Sequence, residues 1–254
     1  REFLKKHKNP KHSVRIGLVG KYVELPDAYK SIAESFIHSG AENECEVILD
    51  YIHSEDITEK NVTERLKDLN GILVAPGFGS RGIDGKILTV KYARENNIPF
   101  FGICLGMQCA VIEFARNILN LPDAHSTEIE HKTKNPVIDL MEGQKSIIDK
   151  GGTMRLGGFK CIIDTHSKTF QAYNKTEITE RHRHRYEFND KYLKTFREHG
   201  MIPVGFNPES NLVEIMEIPN HKWFIGVQFH PEYSSTVINP HPLFVQFVKA
   251  CIAK

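Results

Sequence analysis

Pro99–Arg116, PFFGICLGMQCAVIEFAR, is the stretch on which the fold turns. An apolar run of strand type, Pro99 to Ile103, meets Cys104. Beyond Leu105 and Gly106, the residues Met107, Ala110, Val111, Phe114 and Ala115 recur at helical spacing. The pattern predicts a strand, a sharp turn and a helix. A cysteine between Gly102 and Gly106 at such a turn has the layout of a nucleophile elbow, in which small neighbours tolerate a strained backbone and leave the side chain exposed. The amides opening the next helix carry partial positive charge toward the sulfur and favour thiolate over thiol. Taken alone, the stretch is equally compatible with a buried cysteine ending a core strand.

Trp223–Tyr233, WFIGVQFHPEY, tips that balance. A hydrophobic strand, Phe224 to Phe229, delivers His230 at its C-terminal edge, and Glu232 follows two positions later. Thiol chemistry on a carboxamide needs a base that takes a proton and later returns it to the leaving amine, and a group that holds the imidazole tautomer. His230 and Glu232 suit those roles if the chain turns back across Pro231.

Between these ends, buried strands are expected at Val14 to Val19, Cys45 to Tyr51 and Gly71 to Ala75. Helices are expected at the Ile32-Ala33-Phe36-Ile37 stripe closed by Gly40, at Ile57 to Leu69 and at Lys86 to Asn96. Alternation at this pitch, with strands apolar on both sides, predicts an α/β fold: an open, mostly parallel sheet with helices on both faces. Ligands of such sheets lie outside the C-terminal strand ends. The third strand ends there in Pro76-Gly77-Phe78-Gly79-Ser80-Arg81-Gly82, a glycine-rich loop without the lysine and Ser/Thr of a P-loop. The amides of Gly77 and Leu105 leave strands on the same edge, where they would converge on the oxyanion of a tetrahedral intermediate.

Further on, Pro122 to Lys150 reads as polar and irregular, and Gly151 to Lys175 as a small β insertion in which KTFQAY (Lys168 to Tyr173) is a strand. Alternation along RHRHRYEF puts Arg181, Arg183 and Arg185 on one side of an extended strand and His182, His184 and Tyr186 on the other. Arg181, His182, Arg183 and His184 read as a solvated face, or one that meets a partner domain. A helix at Asp190 to His199, strands at Pro203 to Phe206 and Leu212 to Ile218, and a closing helix at Leu243 to Ile252 complete the domain.

A chain of 254 residues is long enough for one large α/β domain. The net charge of +1 makes no electrostatic case for a nucleic-acid partner. Five cysteines at irregular spacing form neither a disulfide framework nor a metal pattern, and no apolar run of about 18 residues could span a bilayer. The expectation is a cytoplasmic protein with no membrane partner and no metal. Residues 1–12, polar, basic and interrupted by Pro10, read as a linker.

GxCLGxQ followed much later by HPE resembles the class I, triad-type glutamine amidotransferase family. Within it, the chain resembles the C-terminal glutaminase domains of CTP synthases. The residues that carry this are Gly77-Phe78-Gly79, Cys104 to Gln108, Ser126-Thr127-Glu128, GGTMRLG (Gly151 to Gly157), ERHRHRYEFN (Glu180 to Asn189), QFHPEY and HPLF (His241 to Phe244). They span the chain from about Val14 to its end. Where the family has PGGFG this chain has Pro76 in place of the first glycine; a proline has no N–H, so the oxyanion role falls on Gly77.

The resemblance implies a Cys104, His230, Glu232 triad that hydrolyses the side-chain amide of L-glutamine through a thioester. It implies that Gly77, Leu105, Gly106, Met107, Gln108, Glu128 and Arg185 bind the substrate, with Glu128 on the α-amino group and Arg185 on the α-carboxylate. A zwitterion calls for one anion and one cation, and a guanidinium meets a carboxylate in a two-point fork. Implied outside residues 13–254 are an N-terminal synthase domain in cis, joined through residues 1–12, that aminates UTP to CTP with ATP and magnesium, activation by GTP, and a homotetramer at full length. The alternatives are a hydrolase of other γ-glutamyl amides or a silent regulatory module.

Overall fold

In the structure, a computed structural model that describes residues 2–25, 27–140 and 154–253, the apolar runs become strands covered on both faces. β1 (His12–Gly20), β2 (Cys45–His53), β3 (Gly71–Val74), β4 (Phe100–Ile103) and β12 (Phe224–Val227) lie parallel in the order β2-β1-β3-β4-β12. The sheet continues antiparallel through β11 (Val213–Glu217), β10 (Ile202–Phe206), β7 (Arg155–Ile163) and β8 (Glu177–His184), nine strands among the described residues. β3, β4 and β12 are buried at every position, as strands with helices on both sides must be.

Successive residues of a strand point to opposite faces, and β4 shows the consequence. Phe101 packs edge-on against Phe244 of α8 (Pro242–Ile252), which also meets Phe36 of α2 (Lys30–Glu42). Phe100 points the other way and stacks on Phe224, beneath α4 (Ile83–Glu95) and α5 (Leu105–Asn117). One apolar core therefore fills each side of the sheet.

Several boundaries differ from those read in the sequence. α2 runs past Gly40, where a Cβ would meet the Cys45 carbonyl oxygen at 2.7 Å, so the glycine serves a close approach to β2 and does not end the helix; Ile37 is exposed. The segment read as a helix over Ile57 to Leu69 forms only α3 (Val62–Leu66). KTFQAY is not a strand but α6 (Lys168–Tyr173): the Ser167 side chain accepts from the Phe170 N–H at its start, and Asn174 takes a left-handed conformation at its end. The stretch read as irregular holds β5 (Ala124–Ser126) and β6 (Asn135–Leu140), which pair with β9 (Tyr186–Phe188) in a separate three-stranded sheet. β7 and β8 extend the main sheet instead of forming the insertion. Glu2–Lys8, within the linker stretch, is helix α1 with no buried residue; it touches α2 through Lys6 and Glu42, 3.3 Å apart. Gly151, Gly152 and Thr153 of GGTMRLG lie outside the described residues. α7 (Leu193–His199) completes the helices described.

Candidate active site

The elbow is strained where the sequence pattern places the nucleophile. Cys104 has φ 51° and ψ −104°, a region that side-chain-bearing residues rarely adopt. Its N–H donates to the Val227 carbonyl at 2.7 Å, and α5 starts at the next residue. Two glycines make the turn possible. A Cβ on Gly102 would stand 2.7 Å from the Gly106 backbone, and one on Gly106 would stand 2.1 Å from the Val74 carbonyl oxygen. With hydrogen there instead, β3, β4 and the first turn of α5 close up around the sulfur.

The loop after β3 is held from below by two lysines. Lys86, wholly buried on α4, donates from Nζ to the Ala75 carbonyl at 2.7 Å, and burial pulls its pKa down to about 8. Lys21, at the end of β1, donates to the carbonyls of Phe78 and Gly79. The Gly79 N–H donates to Glu128 Oε1 at 3.2 Å, so the carboxylate that follows β5 reaches the same loop.

His230 and Glu232 come together through the 3-10 turn Pro231–Tyr233. His230 Nδ1 is 2.7 Å from Glu232 Oε1, both residues are buried, and the imidazole stacks on Tyr233 with centroids 5.2 Å apart. The His230 N–H donates to the Arg181 carbonyl at 2.8 Å, tying the turn to β8. Nε2 has no hydrogen-bond partner among the described residues. Burial works against the imidazolium, but the Cys104 sulfur and the Glu232 carboxylate outweigh it and hold the His230 pKa up at about 11. A cation poised between a sulfur and a carboxylate is the electrostatic arrangement that thiolate chemistry requires.

A cavity of about 170 Å³ opens over the sulfur, lined by Gly77, Phe78, Cys104, Gln108, Glu128, Met154, His184, Arg185 and Tyr186. Of these nine, Gly77, Cys104, Gln108, Glu128 and Arg185 are residues the sequence points to. Leu105, Gly106 and Met107 do not line it. The Met107 side chain is buried against Gly226, Gly106 lies against Val74, and the Leu105 side chain packs beside Gly77.

The histidines of RHRHR are not a solvated face. Along β8 the arginines at 181 and 183 are exposed, while His182 and His184 are buried. His182 Nδ1 is 2.8 Å from His184 Nε2, and His184 Nδ1 lies 3.3 Å from Glu187. Arg155 Nη1 is 2.7 Å from Glu214 and 3.4 Å from Glu187, so one guanidinium serves two buried carboxylates. Burial raises the pKa of both carboxyls and lowers both imidazoles, His184 to about 3. The sequence alternation separates histidines from arginines correctly, but it cannot say which side meets the core. Gln228, wholly buried with Nε2 3.7 Å from the Cys104 sulfur, is not singled out by the sequence reading, although it opens the QFHPEY motif.

No group of three or more His, Cys, Asp or Glu among the described residues is arranged to hold a metal ion, and no helix described is long and apolar enough to cross a membrane.

Comparison with known proteins matches residues 24–250 to the family model described as glutamine amidotransferase class-I. The chain is 62% identical over 248 residues to a CTP synthase of Cytophaga hutchinsonii, an alignment covering 98% of this chain and 46% of that protein. It is 58% identical over 254 residues to a CTP synthase of Bacteroides fragilis, covering 100% of this chain and 48% of that one. The chain spans about half the length of these curated relatives. Among solved structures, the glutaminase domain of Trypanosoma brucei CTPS with bound acivicin superposes with a TM-score of 0.88 at 36% identity, covering 95% of this chain and 94% of that one.

Proposed function

The chain belongs to the class I glutamine amidotransferase family, and from that premise we propose that it hydrolyses the side-chain amide of L-glutamine and supplies the ammonia to a CTP synthase domain in cis. The observation that carries the reading is the convergence at one cavity of the strained Cys104, the glycine loop at Gly77, the anion Glu128 and the cation Arg185, with the His230–Glu232 pair beside the sulfur.

In this reading Cys104 thiolate adds to the amide carbonyl. The resulting oxyanion is met by the backbone amides of Gly77 and Leu105, each such donor being worth roughly 3 kcal/mol to the transition state. The loop that carries Gly77 is stiffened by Lys86 on Ala75 and by Lys21 on Phe78 and Gly79, which keeps a donor aimed without reorganisation. His230 gives its proton to the departing nitrogen, the C–N bond breaks, and ammonia leaves a thioester on Cys104. The now neutral imidazole takes a proton from water as its oxygen adds to the thioester carbonyl, and collapse expels the sulfur and frees glutamate. Glu232 keeps Nδ1 protonated and Nε2 directed at the reacting atoms.

Glutamine is distinguished from larger γ-glutamyl amides by size, in a cavity of about 170 Å³, and from asparagine by the reach that is set when Glu128 meets the α-ammonium and Arg185 the α-carboxylate. Gln108 lines the same wall. Leu105, Gly106 and Met107 take part through the backbone of the elbow. In the full-length protein, the synthase domain would use ATP and magnesium on UTP, GTP would stimulate the glutaminase, four chains would assemble, and the enzyme would work in the cytoplasm. Residues 1–12 would form the connection to that domain.

Glutamate release is the test. The chain alone is expected to turn over slowly, to accelerate when GTP and a synthase domain are titrated in, and to lose all turnover in Cys104→Ser. Full-rate turnover by the chain alone would contradict the dependence on a synthase domain, and turnover surviving in Cys104→Ser would remove the thioester mechanism.

A further inference from the structure

β12 and β4 are parallel neighbours in register, Val227 beside Ile103. The next residue of each strand is therefore Gln228 beside Cys104, so the sheet itself brings this side chain to the nucleophile. The Gln228 N–H donates to the Glu214 carbonyl at 2.9 Å, which anchors its backbone on β11.

Which end of the amide meets the sulfur follows from its neighbours. The Tyr186 carbonyl can only accept, so the Gln108 group 3.1 Å from it is the NH₂. The same nitrogen lies 3.2 Å from Gln228, whose facing atom must then be the oxygen. That leaves the Gln228 NH₂ directed at the Cys104 sulfur, 3.7 Å away. The other side chain set against this sulfur is His230. Lys86, the other cation that feels Cys104, spends its proton on Ala75.

Resting on the glutaminase reading, we propose that Gln228 is a catalytic residue whose amide N–H stabilises the Cys104 sulfur whenever it carries negative charge, before attack and again as it leaves the thioester. The chemistry explains why a second donor is useful. His230 surrenders its proton to ammonia, so the imidazole changes charge within each turnover, whereas a carboxamide does not titrate. When the second tetrahedral intermediate collapses, the C–S bond breaks and its electron pair returns to sulfur; the Gln228 N–H is in place at that moment whatever the state of His230.

Alkylation of Cys104 by iodoacetamide, followed by mass mapping from pH 5.5 to 9, reads the sulfur without using glutamine. The titratable groups that act on it are His230 and Lys86, with Glu128 and Arg185 on the wall of the same cavity, all retained in the variants. Gln228→Met is expected to alkylate about tenfold more slowly at pH 6, the lower end of what a hydrogen bond to a charged group is worth, and to approach the unsubstituted rate at pH 9. Gln228→Glu, which offers oxygen to the sulfur, is expected to be slower still, and kcat in Gln228→Met should fall with KM almost unchanged. A folded Gln228→Met protein with the unsubstituted alkylation rate at every pH overturns the proposal. Should both variants unfold, the side-chain ¹⁵N–¹H resonance of Gln228 in the unsubstituted chain decides. It should shift, and exchange faster, once the sulfur becomes a thioether; an unmoved resonance overturns the proposal. Failure of Cys104 to label ahead of Cys45 in the unsubstituted chain would instead remove the glutaminase reading, and this proposal with it.

Discussion

Gly106→Ala tests whether the approach of β3 to α5 sets the geometry of the reaction. The new methyl would stand 2.1 Å from the Val74 carbonyl oxygen and 3.0 Å from its carbon, where ordinary contact begins near 3.4 Å. Both sides of the clash are backbone, so no rotamer change relieves it; the end of β3 and the first turn of α5 must part by about 1.3 Å. β3 leads directly into the loop that carries Gly77, and Gly106 is two residues from Cys104, so that separation moves the proposed oxyanion donor away from the proposed nucleophile. Overpacking of this kind costs ~1–3 kcal/mol of stability, and a displacement of ~1 Å at the reacting groups costs on the order of 100-fold in rate. The expected result is a lower urea midpoint and a kcat for glutamate release reduced about 100-fold. Iodoacetamide labelling of Cys104, which needs no oxyanion donor, should change far less. A Gly106→Ala chain with unchanged midpoint and kcat would refute the idea that this contact fixes the distance between loop and elbow.

Glu232→Gln removes a buried charge-assisted bond of 2.7 Å worth ~1.5–3 kcal/mol, so kcat should fall roughly 10- to 100-fold with little change in KM. Because Cys104 and Glu232 together hold the His230 pKa up at about 11 against burial, the alkaline limb of the kcat profile should also move to lower pH; a limb that stays in place would show that the carboxylate does not support the imidazolium. Arg185→Lys replaces a two-point fork by a single ammonium and should raise KM for glutamine by about 10-fold or more, and Glu128→Gln should act in the same direction; an unchanged KM in both would place the head group elsewhere. Acid should weaken the fold through His182 and His184. Burial lowers both pKa values from 6.5, His184 to about 3, so the unfolded chain binds protons that the folded chain refuses. Their contribution is complete above pH 6.5 and declines below it by about 1.4 kcal/mol per pH unit for each imidazole. The raised carboxyls of Glu187 and Glu214 act in the opposite direction over the same range, because there the folded chain binds protons that the unfolded chain does not; the test is therefore a difference, and a His184→Asn chain with the same change in urea midpoint between pH 7 and pH 5.5 as the unsubstituted chain would contradict the burial of His184 as a neutral group.

How far the sequence could be read depended on the kind of signal. Long apolar runs such as Gly71–Val74 and Phe100–Ile103 announce strands because only a strand covered on both faces can bury every position. KTFQAY misleads because its aromatic and β-branched residues favour a strand, while its fate is decided at the ends, by the Ser167 cap and the left-handed Asn174. β5 and β6 escape notice because they are short, polar and stable only when paired with β9, a partner some fifty residues away. Alternation in RHRHR separates two faces without naming the wet one; the charge density suggests solvent for both, yet Arg155, Glu187 and Glu214 supply a polar interior for the histidines.

The amino-acid sequence by itself pointed to the covalent chemistry proposed for the site. A cysteine between glycines at a strand-to-helix turn and an HPE after a later strand are local patterns whose spacing reflects local backbone sterics; the anion and cation for a zwitterionic head are legible only through the family resemblance. Tertiary structure alone decided which groups surround the sulfur. Gln228 reaches Cys104 because β12 lies in register beside β4, and Lys86 reaches Ala75 because α4 packs under β3. Pairing across more than a hundred residues depends on the topology of the sheet, and that order is a property of the whole packed core, which no short stretch of chain encodes.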